Sequence, residues 1–303
     1  MSMDWSRKWF ETFKGVVREG VDLAPFSHMR VGGKAEVLLE PWSEEDAATA
    51  VRICREHGLP LLFLGGGSNL LVADEGVSAF VLHVGRWNRV VRDENRLIAS
   101  AGASLPSLLR KARESGLGGL ETLVGIPAQV GGAVHMNAGT RFGSTFDHLA
   151  SVRIVDPEGG IRDLRTSDLE PSYRDGGLGD SLVTTATFVL EEESKETIRE
   201  RFTEFLEWRN RRQPVTEKSL GCIFKNPDGE SAGALIDRAG LKGERVGGIE
   251  VSTKHANFFV NKGGGTAAEV VRLIEKVRER VCKEFSIELE LEIELWGFEG
   301  GRG

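Results

Sequence analysis

The sequence predicts an α+β protein in two parts. Residues 1–192 form a ligand-binding region of two lobes, at about 20–85 and 86–192, and 193–303 form a smaller C-terminal domain. Three features of the chain predict this. A helical period leads into an apolar run that meets bare glycines, Leu61-Leu62-Phe63-Leu64-Gly65-Gly66-Gly67-Ser68-Asn69-Leu70-Leu71-Val72. Short β-type runs separated by turns then fill the middle of the chain. Near residue 192 a charged, linker-like stretch gives way to long helical periods. A length of 303 residues suits about two domains, and 40% hydrophobic residues can build a sizeable core.

The elements follow in order. Ser43 is placed to cap a helix, with Glu44, Glu45 and Asp46 in its positive first turn. Ala47, Ala50, Val51 and Cys54 recur at helical spacing, and Gly58 ends the segment. A strand at 60–64 comes next, so a β-α-β-like unit delivers the glycine turn. A second helix opens at Ser104, carries Pro106 in its first turn, continues through Leu108, Leu109 and Ala112, and stops at Gly116. Strands are expected at 80–84, 97–101, 152–155 and 182–190, with Asp156-Pro157-Glu158-Gly159-Gly160 as a turn between two of them. Beyond 192 a helix runs to about Arg212 with Ile198, Phe202, Phe205 and Arg209 on one face, and Pro214 follows its end. Thr266 and Glu269 form a capping box ahead of an amphipathic helix through Val270, Ile274, Val277 and Val281. The last strand, 287–295, alternates strictly.

The formal charge of −7 argues against nucleic acid or a membrane surface as partner. Asp4 and Glu11 interrupt the N-terminus and no apolar stretch follows, so no secretory leader is expected. No run approaches the ~20 apolar residues that span a bilayer. Cys54, Cys222 and Cys282 are far apart and show no metal-ligand spacing, and the histidines form no pair of the His-x-x-x-His kind. A reduced, cytoplasmic protein without a metal is the expectation.

The glycine turn fits two readings: a tight connection between strands, or a backbone cradle for an anion. It is neither a G-x-G-x-x-G turn opening a helix nor a P-loop. A second glycine-rich stretch, Gly125-Ile126-Pro127-Ala128-Gln129-Val130-Gly131-Gly132-Ala133, points to a two-phosphate ligand and hence a dinucleotide. Trp208-Arg209-Asn210-Arg211-Arg212-Gln213-Pro214 is either a solvated helix end or part of an anion pocket with Lys225 and Lys242. Tyr173-Arg174 contains the chain's one tyrosine and is either a surface pair or an arginine aimed at a carboxylate. Cys222 is either inert filler or a proton-handling thiol. In the last strand, Glu288, Glu290, Glu292 and Glu294 share one face at about 7 Å intervals. That face is either solvated or directs one carboxylate into a pocket, where its pKa rises.

Taken in order, these pieces resemble one family, the UDP-N-acetylenolpyruvoylglucosamine reductases, flavoenzymes known as MurB. The resemblance runs from about Met29 to Phe298. It includes Arg30-Val31-Gly32-Gly33-Lys34-Ala35, the glycine turn, Met136-Asn137-Ala138-Gly139, Tyr173-Arg174, Gly221-Cys222-Ile223-Phe224-Lys225-Asn226-Pro227, Gly240-Leu241-Lys242-Gly243, His255-Ala256-Asn257-Phe258-Phe259 and the strand at 289–293.

The resemblance implies a two-lobed FAD fold of the vanillyl-alcohol-oxidase-like type and a C-terminal domain that closes over a UDP-sugar. It assigns FAD to Gly65, Gly66, Gly67, Ser68 and Asn69 and to Gly125, Ile126, Pro127, Gly131, Gly132, Ala133 and Asn137. Ser68 stands where many relatives of that wider fold link flavin through histidine, so non-covalent FAD is implied. NADPH is the implied reductant, and a single tyrosine suits the loop-less second type of the family. Arg174 matches the arginine that stabilises the enolate-like intermediate. Glu292 matches the assisting glutamate, although it follows Leu291 where the family has proline. Cys222 replaces the usual serine as proton donor. Substrate contacts are implied for Tyr173, Lys225 and Asn226, and for Arg211, Arg212 and Lys242 at the diphosphate. A cytoplasmic monomer acting in peptidoglycan precursor synthesis is expected. Another FAD oxidoreductase of the same fold, or a binding protein that has lost catalysis, are the competing readings.

Overall fold

The computed structural model describes residues 5–301; Asp4 and the extreme ends of the two expected regions lie outside them. The first lobe contains β1 (Val16–Asp22), β2 (Lys34–Glu40), α1 (Glu44–Glu56), β3 (Leu61–Leu64), β4 (Leu70–Val72) and β5 (Val77–His83). Ser43 caps α1 by accepting from the Asp46 N–H, as its position before an acidic turn requires. The expected β-α-β unit is wider than the sequence suggests. β5 lies between β2 and β3, parallel to both, in the order β1-β2-β5-β3. β3 is therefore an edge strand, with the glycine turn at its end.

The second lobe is a five-stranded antiparallel sheet, ordered Ile161–Arg165, Leu149–Val155, Leu182–Val189, Arg96–Ser100 and Val90–Asp93. α2 (Leu105–Ser115) runs from the cap of Ser104 to Gly116, which takes φ +67°. α3 (Val130–His135) follows the second glycine stretch. α4 (Lys195–Arg212) packs Ile198, Phe202, Phe205 and Leu206 onto the core of these lobes, with Leu108, Leu120 and Leu123. The expected boundary at 192/193 thus falls inside a packed unit. A helix read as the start of the C-terminal domain is mounted on the N-terminal region.

The C-terminal sheet is ordered Ser219–Cys222, Phe258–Asn261, Ile249–Val251 and Arg245–Val246, and is covered by α5 (Ala232–Arg238) and α6 (Ala267–Phe285). Its core also takes Met29, Val31 and Leu71 from the N-terminal region. The expected strand at 287–295 is interrupted by a bend at Ile293, and only Glu294–Trp296 pairs as a strand, parallel to β4, with an isolated bridge from Leu291 to Phe224. Among the described residues no helix is long and apolar enough to cross a membrane.

One contact ties the two regions through a helix end. The capping box of Thr266 and Glu269 forms as predicted. Two further N–H groups of that first turn, on Ala267 and Ala268, donate to the Asp74 carboxylate at 2.8 and 2.9 Å. Asp74 comes from the first lobe, so α6 is capped across the molecule. Asp74→Ala is expected to lower unfolding free energy by ~0.5–2 kcal/mol, read as a lower urea midpoint. An unchanged midpoint would mean that water replaces the carboxylate without cost.

Candidate active site

The two glycine stretches meet. A Cβ on Gly66 would stand 3.4 Å from the Gln129 N, and one on Gly65 would stand 3.9 Å from both Gln129 Oε1 and Gly132 Cα. Gly67 has φ +60°, and a side chain there would collide with the Phe26 carbonyl. Its glycine is thus a requirement of the turn. A Cβ on Gly132 would meet nothing within 4 Å, which leaves open space beside the turn.

Both stretches line a cleft of about 1500 Å³ between the N-terminal lobes and the C-terminal domain. That exceeds the ~300–1000 Å³ usual for one small ligand. Its walls contain four buried polar atoms without a hydrogen bond among the described residues: Gln129 Oε1, Arg209 Nε, Gln213 Oε1 and Trp296 Nε1. Buried polar groups are normally satisfied, so these are unpaired donors and acceptors in residues that line the cleft. A bare-glycine cradle, open space at Gly132 and unsatisfied donors and acceptors along one cleft fit an elongated dinucleotide such as FAD.

At one end of the cleft the chain assembles Arg174, Glu292, Cys222 and Arg209. Arg174 sits in a left-handed turn, φ +62°, a costly conformation for a non-glycine residue. The turn is held by Asn137, whose Nδ2 donates to the Ser172 carbonyl at 3.2 Å, and by the Gly176 N–H donating to the His135 carbonyl at 2.8 Å. Arg174 Nε donates to Glu292 Oε1 at 2.7 Å, and Nη1 lies 3.4 Å from the Gly139 carbonyl. Glu292 is only 10% exposed. Burial raises its carboxyl above the usual range, and Arg174 opposes that rise.

Cys222 follows Gly221, whose φ of +78° accompanies a bulge between Ser219 and Cys222. Asn257 holds Phe224, two residues on, from both sides: its Oδ1 accepts from the Phe224 N–H at 2.9 Å and its Nδ2 donates to the Phe224 carbonyl at 2.8 Å. Cys222 is half-buried in the cleft wall; loss of water there pushes its thiol up to about 12, with Glu292 adding to the rise and Arg174, Arg209 and Asn257 opposing it. The thiol is therefore held protonated, and the easily ionised cysteine that an ordinary pKa near 8.5 would suggest is absent.

The predicted residues divide by position. Gly65, Gly66, Gly67, Ser68, Asn69, Gly125, Ile126, Pro127, Gly131, Gly132 and Asn137 line the cleft, as do Tyr173 and Asn226. Ala133 does not: it is buried in the core of the N-terminal lobes. Four basic residues stand off the cleft wall. Lys225 and Lys242 pair with Glu290 at 3.6 Å and Asp237 at 2.6 Å, Arg211 lies 3.6 Å from Glu207, and Arg212 stacks over Trp208 at 4.6 Å. Of the glutamates, Glu290 is 77% exposed and Glu292 turns inward.

The sequence reading placed Arg209 and Gln213 within a basic stretch and Gln129 within a glycine-rich one, assigned none of them a role, and did not single out Trp296. For Arg209 a signal existed: a cation on the apolar face of α4, in line with Ile198, Phe202 and Phe205. Among the described residues no cluster could hold a metal ion.

The fold and the cleft define a flavin-dependent oxidoreductase. Residues 35–165 match the FAD binding domain model, and 213–296 match the C-terminal domain of UDP-N-acetylenolpyruvoylglucosamine reductase. The UDP-N-acetylenolpyruvoylglucosamine reductase of Moorella thermoacetica is 45% identical over 88% of this chain and 89% of its own. That of Heliobacterium modesticaldum is 40% identical over 96% and 94%. The crystal structure of the Thermus caldophilus reductase superposes with a TM-score of 0.81 at 41% identity, covering 93% of this chain and 99% of its own. The chain belongs to the UDP-N-acetylenolpyruvoylglucosamine reductase family.

Thiol chemistry follows from burial. Cys54 is buried, with its thiol pushed up to about 12, as at Cys222, whereas Cys282 is exposed. Brief iodoacetamide treatment at pH 8 is expected to label Cys282 and spare the other two, as read by peptide mass spectrometry. Prompt labelling of Cys222, which is half-buried, would contradict a thiol raised to about 12.

Proposed function

We propose that this enzyme reduces the enolpyruvyl group of UDP-N-acetylglucosamine enolpyruvate to UDP-N-acetylmuramate, with non-covalent FAD and NADPH, in cytoplasmic peptidoglycan precursor synthesis. The observation that carries this reading is the 2.7 Å Arg174–Glu292 pair, buried beside Cys222 at one end of the cleft. The glycine turn 65–69 and the loop 125–132 would hold the cofactor, and Ser68 leaves it unlinked. When bound, FAD supplies the hydride that adds to the terminal carbon of the substrate's C=C, and NADPH restores it.

The chain's own residues handle charge and proton. Arg174 binds the carboxylate conjugated to that double bond and takes up the negative charge that hydride addition moves onto it. Glu292 holds the guanidinium through Nε and the Gly139 carbonyl takes one N–H of Nη1, which leaves Nη2 for the substrate. Cys222 Sγ–H then delivers its proton to the carbon next to the carboxylate. The resulting thiolate is stabilised by Arg174, Arg209 and Asn257, the same groups that oppose the rise of its pKa. A proton from solvent restores the thiol. Tyr173 and Asn226 approach each other across the cleft and would contact the nucleotide-sugar.

Anaerobic mixing tests the reading. NADPH should bleach the yellow holoenzyme, and the enolpyruvyl nucleotide-sugar should restore the colour without oxygen. Recovery only on admitting air would point to a different acceptor. Cys222→Ser is expected to retain most of the second half-reaction, and Cys222→Ala to slow it by about 10²–10⁴-fold, the usual worth of a positioned acid. An alanine variant as fast as wild type would remove Cys222 from the mechanism.

The pH dependence follows from the enclosed thiol. With Cys222 raised to about 12, the donor stays protonated through the neutral and mildly alkaline range. The wild-type second half-reaction should therefore show no alkaline loss near pH 8–9. Such a limb in the wild type, missing from Cys222→Ser, would reveal an ordinary, accessible thiol.

A further inference from the structure

The chain has a formal charge of −7, yet both nucleotides of the proposed reaction are multiply anionic. They enter the cleft against that field unless a local positive charge leads them. Among the described residues, one arginine of the cleft wall is both exposed and without an acid partner, Arg141. The other arginines there differ: Arg174 pairs with Glu292, Arg55 lies 3.2 Å from Glu158, and Arg209 is 8% exposed. Arg141 and Phe142 form the turn of a small hairpin in which Gly139 and Thr140 pair with Ser144 and Gly143. The hairpin is fixed at both ends. Thr140 Oγ1 donates to the Thr122 carbonyl at 2.8 Å and accepts from the Phe142 N–H at 3.0 Å. The Ser144 N–H and hydroxyl donate to the Asp147 carboxylate at 2.8 and 2.7 Å.

Packing alone does not account for Arg141. Phe142 already docks the hairpin on α4, stacked on Phe205 at 4.1 Å. The Arg141 guanidinium lies 5.2 Å from the centre of the Trp208 ring and 5.8 Å from that of Phe142. Arg212 lies 4.6 Å from the same indole. Its place at the C-terminal end of α4 explains Arg212, but Arg141 is on no helix. Aromatic rings hold a guanidinium without neutralising it, whereas a carboxylate would cancel its field. Two guanidinium groups therefore share one indole, and neither has an acid partner among the described residues. We propose that Arg141, with Arg212 on the same ring, is an electrostatic entry site that draws anionic nucleotides, reductant and UDP-sugar alike, to the cleft before they bind. This rests on the nucleotide-reductase reading of the cleft. What is recognised is negative charge, so the attraction is long-ranged and screened by salt. The screening length falls from about 30 Å at 0.01 M to about 3 Å at 1 M.

The test is anaerobic stopped-flow bleaching of the holoenzyme by sub-saturating NADPH, from about 0.01 M to about 1 M salt. The wild-type second-order rate constant should fall as salt rises, whereas the net charge of −7 by itself would make it rise. At low salt, Arg141→Gln should lower this constant by about 3–10-fold, Arg141→Glu should lower it further, and Arg141→Lys should stay within about twofold of wild type. At high salt the four proteins should converge. Recolouring by the UDP-sugar should follow the same order, and so should calorimetric binding of NADP+, which cannot reduce the flavin. The loss should lie in the second-order constant, with the limiting rate at saturation as in wild type. A glutamine variant equal to wild type at low salt would overturn the proposal. So would a loss that persists at high salt or touches one nucleotide only, either of which makes Arg141 a contact residue. A wild-type constant that rises with salt overturns it without any variant. Wild-type holoenzyme that NADPH fails to bleach at every salt concentration would instead sink the reductase reading on which the proposal stands.

Discussion

The segment from Leu291 to Trp296 is hydrogen-bonded along both edges, and the site depends on it. On one edge, Asn69 Nδ2 donates to the Glu292 carbonyl at 3.0 Å and the Glu294 N–H donates to the Asn69 carbonyl at 2.9 Å, at the start of the pairing with β4. On the other, the Glu292 N–H donates to the Ile223 carbonyl at 2.8 Å, next to Cys222. Backbone groups buried between domains must keep their partners. The segment therefore cannot slide without leaving several unsatisfied. The glycine turn, the thiol-bearing bulge and the carboxylate are thereby set in one frame. Arg174, held through Glu292 and the strained turn beneath it, joins the same frame.

The electrostatics follow from that placement. Two guanidinium groups, a carboxylate and a thiol are drawn out of water at one end of the cleft. Arg174 and Glu292 compensate each other in part, which leaves Glu292 raised by burial but paired. Arg209 has no such partner among the described residues, and Cys222 is kept neutral by its enclosure. Such an arrangement is expensive in the free protein and gains stability from ligands that bring the missing acceptors. Burial here keeps the thiol in its protonated form through the neutral range.

Much of the architecture was legible from local chemistry. The caps at Ser43, Ser104 and Thr266, the stop at Gly116 and the strands around 97–101 and 182–190 rest on rules that operate within a few residues. The insertion of β5 between β2 and β3 did not, because strand order is a long-range choice. Nor did the docking of α4, whose apolar stripe fits equally well with either neighbouring domain until the cores are seen. The basic residues show the same limit. Arg211, Arg212, Lys225 and Lys242 cluster along the chain, yet none of them lines the cleft, and each leans on an acid or an aromatic ring. Proximity in sequence does not set direction in space.

What the amino-acid order determined was the kind of chemistry: glycines where backbone must approach backbone, an arginine and a cysteine in recognisable settings, and an alternating terminal strand with one useful carboxylate among several. Local conformation and residue type suffice for that. What only the tertiary structure decided was which glutamate turns inward, how acidic the thiol is, and that a cation on an apolar helix face, Arg209, belongs to the site. Each of these depends on burial and on charges brought together from distant parts of the chain, and the pairing of Arg174 with Glu292 spans two domains.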